Sequence, residues 1–159
     1  MKILSSIILV LLVIGAFWLM KSSPVPAPEI TLNYTDGTRK TLADYRGQPV
    51  LLNFWSVNCP ICLKDMPHLS DIYQAMQERK VQVIGVSIPQ DPPPAVLALL
   101  EKMQPAYPTA LDVHGEISQG FGNITVTPTT FVIDRKGMIV QKTQGAIDPV
   151  RLKAILTTL

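Results

Sequence analysis

Cys59 and Cys62 are the only cysteines among 159 residues, three apart in the stretch Asn53-Phe-Trp-Ser-Val-Asn-Cys-Pro-Ile-Cys-Leu-Lys-Asp-Met-Pro67. Two thiols at this spacing have three chemical uses. A structural bridge across so short a loop would stabilise little, since the entropic gain grows with loop length. A closed zinc shell takes four ligands, and no second Cys or His pair stands elsewhere to complete one. A redox pair fits better. A strand-to-helix junction before Cys59 sets that residue at the first helical turn, where free N–H groups and the helix dipole favour a thiolate. Cys62 then falls on the same face, within bonding reach. On this reading Cys59 is the exposed nucleophile and Cys62 the buried resolving thiol. Attack on a substrate disulfide gives a mixed disulfide that Cys62 breaks. Pro60 suits the first turn, where its missing N–H leaves nothing unpaired, and Ile61 completes an uncharged insert.

A second feature lies far along the chain, in Val126-Thr-Pro-Thr-Thr-Phe131. A proline directly before an apolar strand reads as an ordinary trans residue at a strand edge, or as a cis Thr127–Pro128 turn. A cis turn would leave the Thr127 backbone open to pair with an extended substrate chain beside the cysteines. The residues themselves do not choose between the isomers.

Other residues offer less. His68 and Met66 could join the two thiols around Cu(I), which soft ligands suit, but a surface histidine and a core methionine are the commoner explanations. His114, in Asp112-Val-His-Gly115, reads as part of a turn. Ser56, Lys64 and Asp65 lack the nucleophile–base–orienter pattern of a hydrolase. No phosphate-cradling glycine loop is present. The net charge of +2, without a basic stripe, argues against a nucleic-acid partner.

The scaffold around the dithiol follows from hydrophobic pattern. Pro49–Trp55 is a nearly continuous apolar run, as expected of a central strand covered on both faces. Pro60 to about Arg79 predicts a helix interrupted at Pro67, with Leu69, Ile72, Tyr73 and Met76 facing core. Val81–Ile88 is a second buried strand, followed by the loop Pro89-Gln-Asp-Pro-Pro-Pro94, where Asp91 is expected as a solvated carboxylate. A short helix over 95–103, an edge strand over 107–112 and a helical turn over 116–121 come next. Thr129–Asp134 and Met138–Lys142 form a hairpin. An amphipathic helix over 149–159 closes the chain on Val150, Leu152, Ile155, Leu156 and Leu159. Upstream, Glu29–Tyr34 alternates like a strand, with a turn over 35–38 and a helical turn over 41–47. The pattern is α/β with a mixed central sheet flanked by helices.

The first 21 residues differ from all of this. From Ile3 to Met20 there is no charge, and eighteen helical residues span about 27 Å, close to the ~30 Å hydrocarbon core. The run is longer than the ~7–15 residue core of a signal peptide and is followed by no convincing cleavage site. Residues 1–21 are therefore read as an uncleaved transmembrane anchor, 22–28 as a Pro/Ser-rich tether, and 29–159 as one domain.

Taken together, Trp55, Cys59-Pro-Ile-Cys62, Pro67, Thr127-Pro128 and Asp134-Arg-Lys-Gly137 resemble the thioredoxin superfamily. Within it, Asn53-Phe-Trp-Ser-x-x-Cys-Pro-x-Cys with Met66-Pro67 is similar to the membrane-tethered TlpA/ResA-like branch, which includes the cytochrome c maturation reductases. The resemblance covers about residues 28–158. It implies a thioredoxin fold with Pro128 cis and a substrate surface built from Trp55, Pro60, Ile61 and Thr127. It also implies a domain in the bacterial periplasm or an equivalent extracytoplasmic space, tethered to the inner membrane. The implied activity is thiol–disulfide exchange on proteins, with apocytochrome c as one substrate class and an upstream membrane thiol donor supplying electrons. No metal or organic cofactor is called for, because the dithiol is itself the redox group. A thiol oxidase and a copper-carrying module of the same fold are the alternatives. Thioredoxin carries an aspartate where this chain has Asn53, whose amide cannot take a proton from the resolving thiol; Gln90 and Asp91 are the other candidates for that task.

Overall fold

Apolar at every position but Asn53, the run Val50–Trp55 forms a strand with all six residues buried, which requires cover on both faces. The computed structural model describes residues 24–159. Its strands are β1 (Val25–Pro26), β2 (Thr31–Asn33), β3 (Arg39–Thr41), β4 (Val50–Trp55), β5 (Gln82–Ser87), β6 (Thr109–Leu111), β7 (Thr129–Ile133) and β8 (Met138–Gln144). The helices are α1 (Pro60–Ala75), α2 (Pro93–Met103), α3 (Glu116–Gly120) and α4 (Pro149–Thr158). Six strands make one sheet in the order β1-β8-β7-β4-β5-β6, with β4, β5 and β6 parallel and the remaining pairs antiparallel. This is the mixed sheet expected, with β4 at its centre.

Period-two alternation along β4 divides the core. Leu52 and Phe54 point to one side with Ile84, Val86, Phe131, Ile133 and Phe121 of the segment after α3. Phe54, Phe121 and Phe131 form an edge-on aromatic group with centroids 4.7–5.9 Å apart. Leu51 points to the other side with Val83 and Val132, against Leu69 and Ile72 of α1 and Leu152 and Leu156 of α4. Each such side chain, fully buried, contributes roughly 1.5–3 kcal/mol. α1 runs unbroken through Pro67, whose ring lies on the exposed side. The expected interruption at Pro67 is absent, and the helix expected to reach about Arg79 ends at Ala75, with Met76 as its C-cap and a 3-10 turn over Gln77–Arg79 beyond it.

Three expectations need correction. The end of the tether is not free: Val25 and Pro26 pair with Ile139 and Met138, and Ala27 is buried. Proline is tolerated there because an edge strand has an N–H position facing away from the ladder. The strand over 31–33 has a partner the pattern did not suggest, Arg39–Thr41, whose three residues are all exposed. Val150 is 79% exposed, because it sits in the first turn of α4, where Asp148 caps the helix by accepting the Arg151 N–H at 3.0 Å. The apolar segment 1–21 lies outside the described residues. Among the described residues, no helix is long and apolar enough to cross a membrane.

Candidate active site

β4 delivers Trp55 to the C-terminal edge of the sheet, and the chain turns over Ser56–Asn58 into α1. Cys59 is the N-cap of that helix, in extended backbone conformation, with Pro60 at its first position. Cys59 and Cys62 are joined as a disulfide, their Cα atoms 5.2 Å apart. The Cys62 backbone N–H donates to Cys59 Sγ at 3.2 Å, so an orphan donor of the helix start faces that sulfur. Cys59 is 9% exposed and Cys62 1%, an asymmetry that makes Cys59 the reachable sulfur. Both pack with Trp55, Met66 and Val96 in an apolar cluster at this end of the sheet.

The second feature arrives by register. Phe54 pairs with Thr129, so one step further Pro128 lies opposite Trp55, beside the turn that leads to Cys59. The Thr127–Pro128 peptide is cis. The Gly145 N–H donates to the Pro128 carbonyl at 2.9 Å, and Thr129 Oγ1 donates to the Val126 carbonyl at 2.7 Å. Thr127 is half-buried and Val126 exposed. Ile61 is 46% exposed and Pro60 is exposed beside it. Of the surface residues expected, Thr127, Pro60 and Ile61 are thus accessible, but Trp55 is not. At 1% exposure its indole lies beneath the dithiol as packing, because β4 is covered at this end by α1 and α2. Gly85 makes room for it: a Cβ there would stand 3.3 Å from Trp55 Nε1 and 3.1 Å from Thr109 Oγ1.

A polar row crosses the sheet two residues below Trp55. Asn53 registers with Thr130 on β7 and Gly85 on β5, and Gly85 with Thr109 on β6. The Asn53 amide donates to Thr130 Oγ1 at 2.9 Å and is buried. Its amide is fixed in the sheet and carries no titratable proton.

Two carboxylates, Asp91 and Asp65, are buried here. Asp91 is 7% exposed rather than solvated. Its oxygens accept from Ser56 Oγ and the Val57 N–H, each at 2.9 Å. Asp65 is also buried, three residues beyond Cys62 on the inward face of α1. It accepts the Ile147 N–H at 3.1 Å, which ties α1 to the loop whose Gly145 holds Pro128. Burial pushes the Asp65 carboxyl above the usual carboxylate range, against the opposing Ile147 bond. Helical spacing from Cys62 was the signal that could have found it. His68 and Gln90 are exposed, and among the described residues no cluster of three or more His, Cys, Asp or Glu could hold a metal ion.

Burial makes the Asp65 carboxyl favour its protonated form. The folded state holds this proton more tightly than the unfolded chain does, so stability falls as pH rises from the ordinary carboxylate range through the raised value. Asp65→Asn keeps an oxygen for the Ile147 N–H and removes the ionisation cost. Its melting temperature should exceed that of the wild type at pH 7, with the gap closing at about pH 3. Thermal denaturation at the two pH values checks this; a variant less stable at pH 7 would refute the burial argument.

Comparison with known proteins places the chain. The AhpC/TSA family model matches residues 25–142. Over 119 residues the chain is 32% identical to the thiol-disulfide oxidoreductase ResA of Bacillus thuringiensis subsp. konkukian, covering 75% of this chain and 68% of that one. The crystal structure of StoA from Bacillus subtilis superposes with a TM-score of 0.71 at 26% identity, covering 85% of this chain and 99% of that one. The pneumococcal exposed lipoprotein thioredoxin from Streptococcus pneumoniae gives a TM-score of 0.74 at 25% identity, covering 82% and 99%.

Proposed function

The chain belongs to the AhpC/TSA family and is a thiol–disulfide oxidoreductase of the ResA type with a thioredoxin fold, and on that premise we propose that it reduces protein disulfides outside the cytoplasm. The observation that carries this reading is how little the setting of the dithiol offers to stabilise a thiolate. One backbone N–H faces Cys59 Sγ, and the insert Pro60-Ile61 brings no cation. A thiolate so modestly stabilised makes the reduced form a willing donor.

In the forward step the Cys59 thiolate attacks one sulfur of a substrate disulfide, and the other leaves as a thiolate. Cys62, deprotonated, attacks Cys59 Sγ in the mixed disulfide and releases the second substrate thiolate. Two electrons and two protons pass to the substrate, and the Cys59–Cys62 disulfide remains. Asp65, one helical turn from Cys62 and easily protonated, takes up the proton of the resolving thiol, a task closed to Asn53. The substrate chain lies across Pro60 and Ile61 and pairs with the Thr127 backbone. Disulfides in unfolded apocytochrome c are one class that such an open surface accommodates. No metal or organic cofactor enters the step.

In an oxidising compartment the dithiol must be regenerated, so an upstream membrane thiol donor is part of the reading. Residues 1–21 anchor the protein to the inner membrane. A similar protein is described as an exposed lipoprotein, which supports an extracytoplasmic site. The protein should stay in the membrane fraction after a high-salt wash, with residues 1–21 present in its intact mass; a mature chain starting between 22 and 29 would remove the anchor.

Equilibration with glutathione tests the direction of electron flow. The expected reduction potential lies nearer the ~−270 mV of thioredoxin than the ~−120 mV of DsbA. A value above about −180 mV, the level of protein disulfide isomerase, would make the protein an oxidase.

A further inference from the structure

Asp91 reaches the turn before the dithiol from a different strand. β5 ends at Ser87, the Ile88 N–H donates to the Trp55 carbonyl at 3.1 Å, and the Asp91 N–H closes a turn onto the Ile88 carbonyl at 3.1 Å. The carboxylate then points back, taking Ser56 Oγ on one oxygen and the Val57 N–H on the other. Ser56 in turn accepts the Asn58 N–H on its hydroxyl oxygen at 3.2 Å and the Cys59 N–H on its carbonyl at 3.1 Å. Three consecutive N–H groups leading into α1 are therefore occupied by Asp91 and by the serine it holds.

A Cys59 thiolate is stabilised by whatever donors it can collect at the helix start. Here the Val57 and Asn58 N–H groups point into the Asp91–Ser56 clip, and the Cys62 N–H is the donor that meets Cys59 Sγ. The clip also sets a buried carboxylate at Val57, two residues from the nucleophile, where like charge disfavours a thiolate. Burial makes this unfavourable arrangement felt, since screening is weak there.

We infer that Asp91 is a positioning residue that keeps the dithiol reducing, by withholding the Val57 and Asn58 donors from the Cys59 thiolate and by holding negative charge beside it. This rests on the reductase reading above and deepens it, because it names the group that sets the poise of the same site.

The test compares wild type, Asp91→Asn and Ser56→Ala, each equilibrated with glutathione and each titrated by the pH dependence of Cys59 alkylation. Asp91→Asn loses the charge and one acceptor, so the dithiol form should gain about tenfold in equilibrium constant, ~30 mV toward oxidising. Its alkylation midpoint should move to lower pH. Ser56→Ala keeps the carboxylate and frees the Asn58 N–H, so it should shift both readouts the same way by a smaller factor. A purely structural role would lower stability and leave both readouts in place. A folded Asp91→Asn with unchanged constant and midpoint overturns the inference. If that variant does not fold, an unchanged Ser56→Ala overturns it. The wild-type potential alone tests the reductase reading, and the variant-to-wild-type ratio tests Asp91, so the two can fail separately.

Discussion

Cys62→Ala is expected to abolish turnover and to accumulate mixed disulfides through Cys59, whereas Cys59→Ala should abolish turnover and trap nothing. The asymmetry follows from position. Cys59 caps the helix, receives the Cys62 N–H at 3.2 Å and keeps 9% of its surface in contact with solvent. Cys62 sits one turn inward at 1% exposure, packed on Met66 and Trp55. A substrate disulfide can therefore reach Cys59 but not Cys62. With Cys62 gone, the first exchange proceeds and the second has no nucleophile, so the covalent intermediate persists. Removing Cys59 leaves a thiol that a protein substrate cannot approach. Non-reducing electrophoresis of each variant, incubated with an oxidised, unfolded protein, reads the result directly. Equal trapping by both variants would show that the inner thiol is reachable and would reverse the assignment.

Asp65 adds a graded version of the same argument. In Asp65→Asn the first exchange should proceed at the wild-type rate, since Cys59 does not depend on that carboxyl. Resolution by Cys62 should slow, since its proton has lost an acceptor. The same substitution should raise stability at pH 7, because burial disfavours the charged form. A gain in stability paired with slower resolution is the expected mark of a group retained for chemistry.

What could be read from the residues was whatever is encoded locally. β4 and β5 announced themselves as continuous apolar runs, and the Cys59–Cys62 spacing needs nothing beyond its own helix turn. Thr127-Pro128 was visible as a proline directly before an apolar strand, though the residues did not choose its isomer. The parts that were missed depend on distant partners. β3 is three exposed residues that form a strand only because β2 offers them backbone bonds. Asp65 meets its donor 82 residues away at Ile147, and Asp91 meets its backbone donor 34 residues back at Val57. A carboxylate in a proline-rich loop looks solvated until the loop is folded onto the β4–α1 turn. The family resemblance implies a place for Trp55 on the substrate surface. Strand alternation instead turns it inward, above the polar row of Thr130, Asn53 and Thr109.

Ile61→His should move the protein toward oxidising more than any other single change between the cysteines. Ile61 occupies the second position of α1 and is 46% exposed, so an imidazole fits there without disturbing the core. Two effects then act. A cation at a helix N-terminus is disfavoured by the dipole, at roughly 0.3–1 kcal/mol. A charged hydrogen bond to the Cys59 thiolate is worth about 1.5–3 kcal/mol, and it exists only in the dithiol form. The first acts on both redox forms and leaves the potential unchanged, whereas the disulfide offers the second no matching partner, so that gain falls on the reduced state alone. The equilibrium with glutathione should shift toward dithiol by about tenfold to a hundredfold, which is ~30–60 mV. The sign of the pH dependence follows. The imidazole's folded-state affinity for a proton rises when the thiolate forms, so the shift should be full below the ordinary histidine range and shrink as pH rises above it. Ile61→Gln, which can donate but carries no charge, should give a smaller shift without that pH dependence. A histidine variant whose potential matches wild type at pH 6 would mean that the side chain does not reach the sulfur, and that the insert does not set the poise.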